Sequence, residues 1–260
     1  SYLCPRHPAT QRYVEQLVET LMHDYELDGF CMDMLEFTTT HPCVSDHEHN
    51  YNSVGLAIAD GLARVTASVY SANPAALIEF RPRYSNLWNL YHATQHRSSD
   101  SGQAGAYDMN RRHCVLMRSY MPPGIAVHSD PQWWHIEESN ETVAKMLSTI
   151  VVCSVPQVGA DIINMPEEHR RLIKVWLSFY HEHKESFRTG RMRPVQNDVN
   201  FSTIIVESGK KAFVSFAAHP AVKVPLNENA EEIYLFNCTN EDWLHAVLLN
   251  IEGEFSVTVR

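Results

Sequence analysis

The stretch Asp28-Gly29-Phe30-Cys31-Met32-Asp33-Met34 decides the fold. Its apolar run is too short for a helix, and a carboxylate, Asp33, interrupts the run near its far end. This pattern predicts a buried parallel strand that carries Asp33 at its C-terminal end. A helix is predicted on each side of the strand, from Pro8 to Tyr25 and from Val54 to Val69, because apolar residues recur there at helical spacing.

Strands and helices continue to alternate as far as residue 194. The further predicted strands are 75–80, a polar-ended segment that finishes at Asp100, 125–128 and 154–162, and the further predicted helices are 109–120, 141–150 and 166 to about 183. Such alternation indicates a parallel sheet whose chemistry lies at the C-terminal ends of its strands. Only five parallel strands can be counted in the sequence, whereas a closed (β/α)8 TIM barrel needs eight. We therefore predict an α/β fold in which residues 1–194 form an incomplete barrel, about strands 4 to 8.

The pattern changes after Arg193-Pro194. Short alternating runs separated by turn residues predict strands over 201–207, 212–217, 233–237, 245–249 and 255–259. We predict that residues 195–260 form a C-terminal antiparallel β domain of the sandwich type. The missing barrel strands are expected from further polypeptide, either the rest of a precursor or a partner chain, and a homo-oligomer is a second expectation.

The composition of the chain bears on its binding partners and its cellular compartment. The 31 acidic and 21 basic residues leave a formal charge of -10, which repels nucleic acid and anionic lipid. No apolar run has the length of a membrane span, and the first residues lack the layout of a signal peptide. Six cysteines are scattered without a C-x-x-C pair, which favours a reducing compartment. The sequence predicts a cytoplasmic protein that has neither nucleic acid nor membrane as a partner.

Two carboxylates stand at predicted strand ends, Asp33 in Met32-Asp33-Met34 and Asp100 in Arg97-Ser98-Ser99-Asp100. Glycoside hydrolysis needs such a pair, one as nucleophile or base and one as proton donor. A strand-end aspartate also serves to cap the following helix, so the pattern alone leaves both interpretations open.

Several motifs resemble segments of clan D glycosidases, particularly glycoside hydrolase family 36, in order and in spacing. Leu3-Cys4-Pro5-Arg6-His7-Pro8, the helix after it and Asp28–Asp33 resemble the segment that leads to the nucleophile strand. Arg97–Asp100 resembles the Thr-Ser-Asp segment that carries the acid/base. Tyr120–Ser129 is similar to the family's Tyr-Pro-Pro stretch, and Val155–Asp161 to its last barrel strand. The resemblance covers about residues 1–194.

The resemblance implies a retaining exo-α-glycosidase, closest to α-galactosidases, that hydrolyses terminal α-linked sugars by double displacement. It assigns Asp33 as the nucleophile and Asp100 as the acid/base, and it implies no cofactor. An oligosaccharide or another glycoside is the expected substrate.

Two departures from the family concern the substrate. Cys31 stands where the family usually has a lysine that contacts sugar hydroxyls. Glu79-Phe80-Arg81-Pro82-Arg83 stands in place of a loop rich in cysteine and glycine. The arginines can bind sugar hydroxyls or a carboxylate, or they can pair with Glu79 and nearby acids. A modified or acidic sugar, a transglycosylase and a non-catalytic carbohydrate-binding relative are therefore the alternatives.

Further polar and aromatic residues are candidates for substrate binding. Trp133 and Trp134 could stack on a sugar ring or plug the barrel mouth, and His128 ends a predicted strand. The full set of candidate substrate-binding residues is Glu79, Arg81, Arg97, His128, Asp130, Trp133 and Trp134.

The segment from His41 to His49 is rich in histidine and also contains Cys43 and Asp46. These residue types can bind a transition metal, but His47-x-His49 lacks the spacing of a known zinc motif. We interpret the segment as a loop that lines the active-site mouth and predict no metal ligands. A metal-dependent hydrolase that uses this loop is the remaining alternative.

Overall fold

The computed structural model describes residues 3–33, 43–81, 91–98, 101–195, 198–218, 221–253 and 256. The chain divides into two compact units, which we call unit 1 (Ser1–Ser99) and unit 2 (Asp100–Arg260). The predicted domain boundary near residue 194 lies inside unit 2, directly after a strand. Separate folding of residues 195–260 stays a prediction.

Unit 1 contains two helices and a parallel sheet. Its elements are α1 (Pro8–Asp24), β1 (Gly29–Asp33), α2 (Val54–Ala72), β2 (Leu77–Arg81) and β3 (Gln95–Arg97). β2 lies between β1 and β3, and both pairings are parallel. The predicted helices and the strand that carries Asp33 are confirmed, and β3 lies in the predicted polar-ended segment that leads to Asp100.

Local sequence explains where the helices of unit 1 begin. The His7 ring accepts a hydrogen bond from the backbone N–H of Ala9, and Pro8 occupies the first turn of α1, where it costs no intrahelical bond. The Ser53 hydroxyl caps α2 in the same way by accepting from the N–H of Leu56 at 3.1 Å. Both helices therefore begin at residues that satisfy free backbone donors.

The sheet of unit 1 has one apolar and one polar face, because side chains alternate along each strand. Met32, Ile78 and Phe80 are almost fully buried and pack with α1 and α2 through Val18, Leu62, Val65 and other apolar residues. The opposite face carries polar and charged side chains from all three strands. The core therefore lies between the sheet and the helices, and the chemistry of this unit lies on the other face.

Unit 2 contains the remaining elements. They are α3 (Tyr107–Tyr120), β4 (Ala126–His128), α4 (Asn140–Val151), α5 (Glu167–Thr189), β5 (Arg191–Pro194), β6 (Thr203–Ser208), β7 (Lys211–Phe216), β8 (Ala221–Pro225), β9 (Glu232–Asn237) and β10 (His245–Leu249). A mixed sheet has the order β5-β6-β7-β9, and β8 pairs with β10. Helices α3 and α5 pack on this sheet through Val115, Phe187 and Phe213.

Two expectations for unit 2 are wrong. The C-terminal strands are not all antiparallel, since β7 pairs with β9 and β8 with β10 in parallel. The predicted strand over 154–162 forms only isolated parallel bridges at Val155 and Val158. Pro156 has no N–H to donate, and an Asp161 turn that accepts from Asn164 ends the extended segment. The predicted strand over 255–259 lies outside the described residues, apart from 256.

Helix α5 continues six residues beyond its predicted end at His183, because Phe187 extends its apolar face into the core. Gly190 follows as the C-cap in an extended conformation, and a side chain is excluded there because a Cβ would lie 2.3 Å from the carbonyl oxygen of Ser186. Among the described helices, none combines the length and the hydropathy that crossing a membrane requires. All six cysteines lie in the described part of the chain, and each is a free thiol.

Candidate functional site

The polar face of the unit 1 sheet brings several predicted site residues together. Along β1 and β2 the register places Cys31 beside Glu79 and Asp33 beside Arg81, and Glu79 lies beside Gln95 of β3. These side chains point to the same side of the sheet because they occupy alternate positions on parallel strands. The C-terminal ends of β1 and β2 thus present a mixed acidic and basic surface.

Asp33 and Arg81 form a salt bridge at this surface. Arg81 Nη1 donates to Asp33 Oδ2 at 2.8 Å. The Asp33 side chain is 44% exposed and the Arg81 side chain 19%, so the carboxylate is accessible while the guanidinium is mostly covered. A charge-assisted hydrogen bond to a half-buried donor holds the carboxylate in one orientation. Arg81 therefore pairs with an acid, as one of the two sequence interpretations expected, and that acid is the candidate nucleophile.

Glu79 is the centre of a second set of contacts on the same face. The Cys31 thiol donates to Glu79 Oε1, and Gln95 Nε2 donates to Oε2, each at 3.4 Å. Desolvation and the Glu79 charge raise the pKa of Cys31 to about 11, against a smaller opposing effect of the Arg97 charge. With this pKa the thiol is neutral at pH 7, since burial and the nearby carboxylate both disfavour the thiolate. Where the resemblance implied a lysine, this face therefore has an uncharged donor.

Asp100, the candidate acid/base, lies outside the described residues, and so does Arg83. The structure does describe the backbone that directly follows Asp100. Asp130 Oδ2 accepts hydrogen bonds from the N–H groups of Ser101 and Gly102, both at 2.8 Å. A Cβ on Gly102 would lie 1.9 Å from the Pro131 carbonyl oxygen, so glycine alone allows this close approach.

Asn110 of α3 holds the backbone of Asp130 in place by two hydrogen bonds. Asn110, fully buried, donates through Nδ2 to the Asp130 carbonyl oxygen at 3.1 Å and accepts through Oδ1 from the Asp130 N–H at 3.2 Å. Asp130 is only 6% exposed. Although the sequence proposes Asp130 as a substrate-binding residue, its described contacts are those of a residue that positions the segment after Asp100.

We expect Asp130→Ala to lower the free energy of unfolding by about 2–6 kcal/mol. The substitution leaves two buried backbone donors without their charged acceptor, and each such loss costs about 1–3 kcal/mol. Urea unfolding followed by circular dichroism measures the effect. Asp242→Ala is the matched control, because Asp242 is exposed, and it should change stability by less than about 0.5 kcal/mol. A change as small as the control's in Asp130→Ala would contradict a positioning role.

The two tryptophans have different surroundings. Trp133 is 44% exposed, and its backbone N–H donates to the Gly102 carbonyl oxygen at 3.0 Å, so its backbone lies beside the segment that Asp130 anchors. Trp134 is 5% exposed and belongs to the core between α4 and α5. Its indole N–H donates to His169 Nδ1 at 3.2 Å, and His169 Nε2 contacts the Glu138 carbonyl oxygen at 3.0 Å. Trp133 remains available to a ligand, whereas Trp134 packs in the core.

His128 ends β4 but is almost fully buried, at 2% exposure. Its Nδ1 contacts the Ser129 carbonyl oxygen at 3.2 Å. The sequence predicts a histidine that faces the ligand, and its burial in unit 2 instead resembles that of a core histidine.

Four donor side chains of unit 1 lie together where the sequence predicted no metal ligands. Cys4, Cys43, His47 and His49 each offer one ligand atom, and all four atoms lie within 4.8 Å of one another. We call these four residues the Cys2His2 cluster. Sequence reasoning considered the segment around His47 but missed Cys4, because 38 residues separate it from Cys43.

Comparison with solved structures finds glycoside hydrolases that have this fold. The α-galactosidase of Lactobacillus brevis matches with a TM-score of 0.58 and 17% identity, over 78% of this chain and 28% of that chain. A double variant of the family 36 α-galactosidase AgaA of Geobacillus stearothermophilus, in complex with raffinose, matches with a TM-score of 0.52 and 13% identity over the same shares.

The α-amylase of Geobacillus thermoleovorans, complexed with acarbose, matches with a TM-score of 0.51 and 8% identity, over 78% of this chain and 51% of that chain. No family model and no curated protein matches the sequence. The chain spans about 28% of the length of the two α-galactosidases. These similarities show a fold of the glycoside hydrolase TIM-barrel type.

Proposed function

We propose that this chain is part of a retaining exo-α-glycosidase, similar to α-galactosidases, that hydrolyses terminal α-linked sugars. The observation that carries the proposal is the accessible Asp33 carboxylate at the C-terminal end of β1, held by Arg81 of the neighbouring strand. In barrel enzymes the catalytic residues come from the C-terminal ends of the strands. The fold shared with two α-galactosidases supports the same class of reaction.

In the proposed mechanism, Asp33 attacks the anomeric carbon and forms a covalent glycosyl-enzyme. Asp100 first protonates the leaving oxygen and then, as a base, takes a proton from the water that hydrolyses the intermediate. The sugar keeps its configuration because two displacements occur, and retaining enzymes place the two carboxyl groups about 5–5.5 Å apart. The reaction needs no cofactor.

In this proposal Arg81 orients the Asp33 carboxylate for attack. Its guanidinium binds Oδ2 of Asp33, which leaves Oδ1 as the oxygen that attacks. Glu79, with its contacts to Cys31 and Gln95, would accept hydrogen bonds from sugar hydroxyls on the same sheet face. Arg97, whose charge acts on the Cys31 thiol, would donate to the sugar there.

The second candidate is an α-glycosidase or transglycosylase for an acidic or otherwise modified sugar. The observation that favours it is the pair of guanidinium groups, Arg81 and Arg97, on the polar sheet face. Guanidinium groups bind carboxylates through two parallel hydrogen bonds, which a neutral hydroxyl cannot match. Under this proposal Arg97 would bind the substrate carboxylate while Arg81 stays with Asp33.

The test is release of p-nitrophenol from a panel of α- and β-linked galactosides, glucosides, N-acetylgalactosaminides and uronides by the complete protein. We expect turnover of one α-glycoside and none of its β-anomer. Preference for an α-galactoside supports the first candidate, and preference for an α-uronide supports the second. Proton NMR of the first-formed sugar then reports the anomer, and a product with inverted configuration contradicts the mechanism.

Asp100→Asn separates the acid/base role from other roles. Natural oligosaccharides have a poor leaving group that needs a proton, so their turnover should fall far more than that of p-nitrophenyl glycosides. Equal losses on both substrates would contradict the assignment. If no glycoside turns over while sugar binding is measurable by calorimetry, the proposal fails and the non-catalytic carbohydrate-binding relative replaces it.

A further inference from the structure

We propose that Cys4, Cys43, His47 and His49 bind one zinc ion in a closed, structural site of unit 1. The geometry of the donor atoms is the first argument. All four lie within 4.8 Å of one another, and Cys43 Sγ lies 3.5 Å from His47 Nε2. Zn–S bonds of about 2.3 Å and Zn–N bonds of about 2.0 Å place tetrahedral donors roughly 3.3–3.8 Å apart. The cluster needs only small side-chain adjustments to reach that geometry.

The donor set is the second argument. Two cysteines and two histidines are one of the common ligand sets of structural zinc, because thiolate sulfur and imidazole nitrogen both suit this ion. Four protein ligands complete the tetrahedral coordination of the ion and leave no position for water or substrate. The site therefore has the character of a structural centre rather than a hydrolytic one.

The state of the histidines is the third argument. Within the described part of the chain, His49 Nε2 is buried and has no hydrogen-bond partner, which is costly for a polar atom unless a ligand uses it. The neighbouring His7 is not counted as a ligand, since its Nδ1 accepts from Ala9 at the start of α1.

Backbone contacts bring the two ligand-bearing segments together independently of a metal. The Asn50 N–H donates to the Arg6 carbonyl oxygen at 3.0 Å, and Arg6 Nε donates to the Tyr51 carbonyl oxygen at 2.6 Å. The His47 ring also lies edge-on to the rings of His7 and His49. The ligands are thus held close before metal binding, which lowers the ordering cost of forming the site.

A zinc ion here would tie the residues before α1 to the segment after β1. Cys43 follows Asp33 by ten positions, so the site would fix the chain beyond the strand that carries the candidate nucleophile. Binding to the folded state alone stabilises it by mass action. This role does not depend on the proposed glycosidase activity, and metal content and activity can be tested separately.

The experiment measures metal directly. The protein, prepared without a histidine tag and under reducing conditions, is analysed for zinc by plasma mass spectrometry, and the metal-free protein is titrated with Co²⁺. We expect one zinc ion per chain and the strong visible absorption of tetrahedral, thiolate-bound cobalt. Removal of zinc should lower the thermal unfolding temperature, and added zinc should restore it.

Variants locate the ligands. Cys43→Ser and His49→Ala should lose the zinc and the cobalt absorption, whereas Cys31→Ser and His23→Ala should keep both, since these residues are exposed and lie outside the cluster. Circular dichroism checks that each variant is folded. The cobalt titration of the unsubstituted chain remains decisive if a ligand variant fails to fold.

Three results would overturn the proposal. The reduced protein could contain no zinc and show no cobalt absorption, or Cys43→Ser and His49→Ala could both retain the metal as the two controls do. The cobalt spectrum could also be that of a six-coordinate ion without thiolate bands. A Cys4–Cys43 disulfide that, once reduced, leaves a protein unable to bind either metal would overturn it as well. Loss of glycosidase activity with zinc intact would refute only the proposed function.

Discussion

The Asp33→Asn variant is expected to lose turnover of the preferred α-glycoside by at least about a thousandfold, or roughly 4 kcal/mol of transition-state stabilisation. The amide cannot form the glycosyl-enzyme bond, so the first displacement lacks its nucleophile. The substitution keeps the size of the side chain and an oxygen that can accept from Arg81. Binding of the sugar should therefore change much less than the rate.

Initial rates at saturating substrate, with sugar affinity from calorimetry, measure these two effects. The matched control is Asp28→Asn, the same substitution just before β1, where the side chain is exposed and far along the strand from the candidate site. The control should keep the rate within about twofold, as surface substitutions usually do. Turnover of Asp33→Asn near that of the control would end the assignment of Asp33 as nucleophile.

The Arg111→Ala variant is expected to lower the free energy of unfolding by about 3–5 kcal/mol. Arg111, on α3, is 1% exposed. Its guanidinium donates to the Ser215 hydroxyl and to the Phe201 carbonyl oxygen, each at 2.9 Å, and makes longer contacts with the carbonyl oxygens of Thr149 and Ser215. Truncation removes these hydrogen bonds and opens a cavity, and the two costs add.

Chemical unfolding followed by tryptophan fluorescence measures the loss. Arg112→Ala is the control on the same helix, since Arg112 is only half-buried, and it should cost less than about 1 kcal/mol. Arg111→Lys should fall between the two, because an ammonium group replaces the planar fork and reaches fewer acceptors. Equal stability of Arg111→Ala and Arg112→Ala would mean that the contacts of Arg111 do not hold α3 on the C-terminal sheet.

Local patterns were sufficient for most of the helices. The apolar spacing within α1 and α2 and the residues at their starts, His7-Pro8 and Ser53, are local features of the sequence. Both helices could therefore be predicted closely. The end of β1 at Asp33 was predictable for the same reason. The parallel pairing of β7 with β9 was not, because period-two alternation predicts a strand without indicating its partner.

In the candidate site, too, the sequence indicated the positions of residues, and the tertiary structure decided their contacts. The sequence indicated that Asp33, Glu79 and Arg81 stand at strand ends, while the register of β1 and β2 decided that Arg81 binds Asp33 and that Cys31 donates to Glu79. Trp133 and Trp134 are adjacent in sequence, yet one is exposed and the other is buried against His169. Which of these two adjacent tryptophans is buried was decided by the packing of Trp134 between α4 and α5.

The sequence by itself determined the helices, the strand that carries Asp33 and the acidic surface charge, because each depends on residue type and short-range spacing. Only the tertiary structure decided that Asp130 holds the backbone after Asp100 and that Cys4 meets Cys43, His47 and His49. These contacts join residues 28 to 45 positions apart. Contacts at such separations depend on how the whole chain packs, since no local pattern encodes which distant side chains meet.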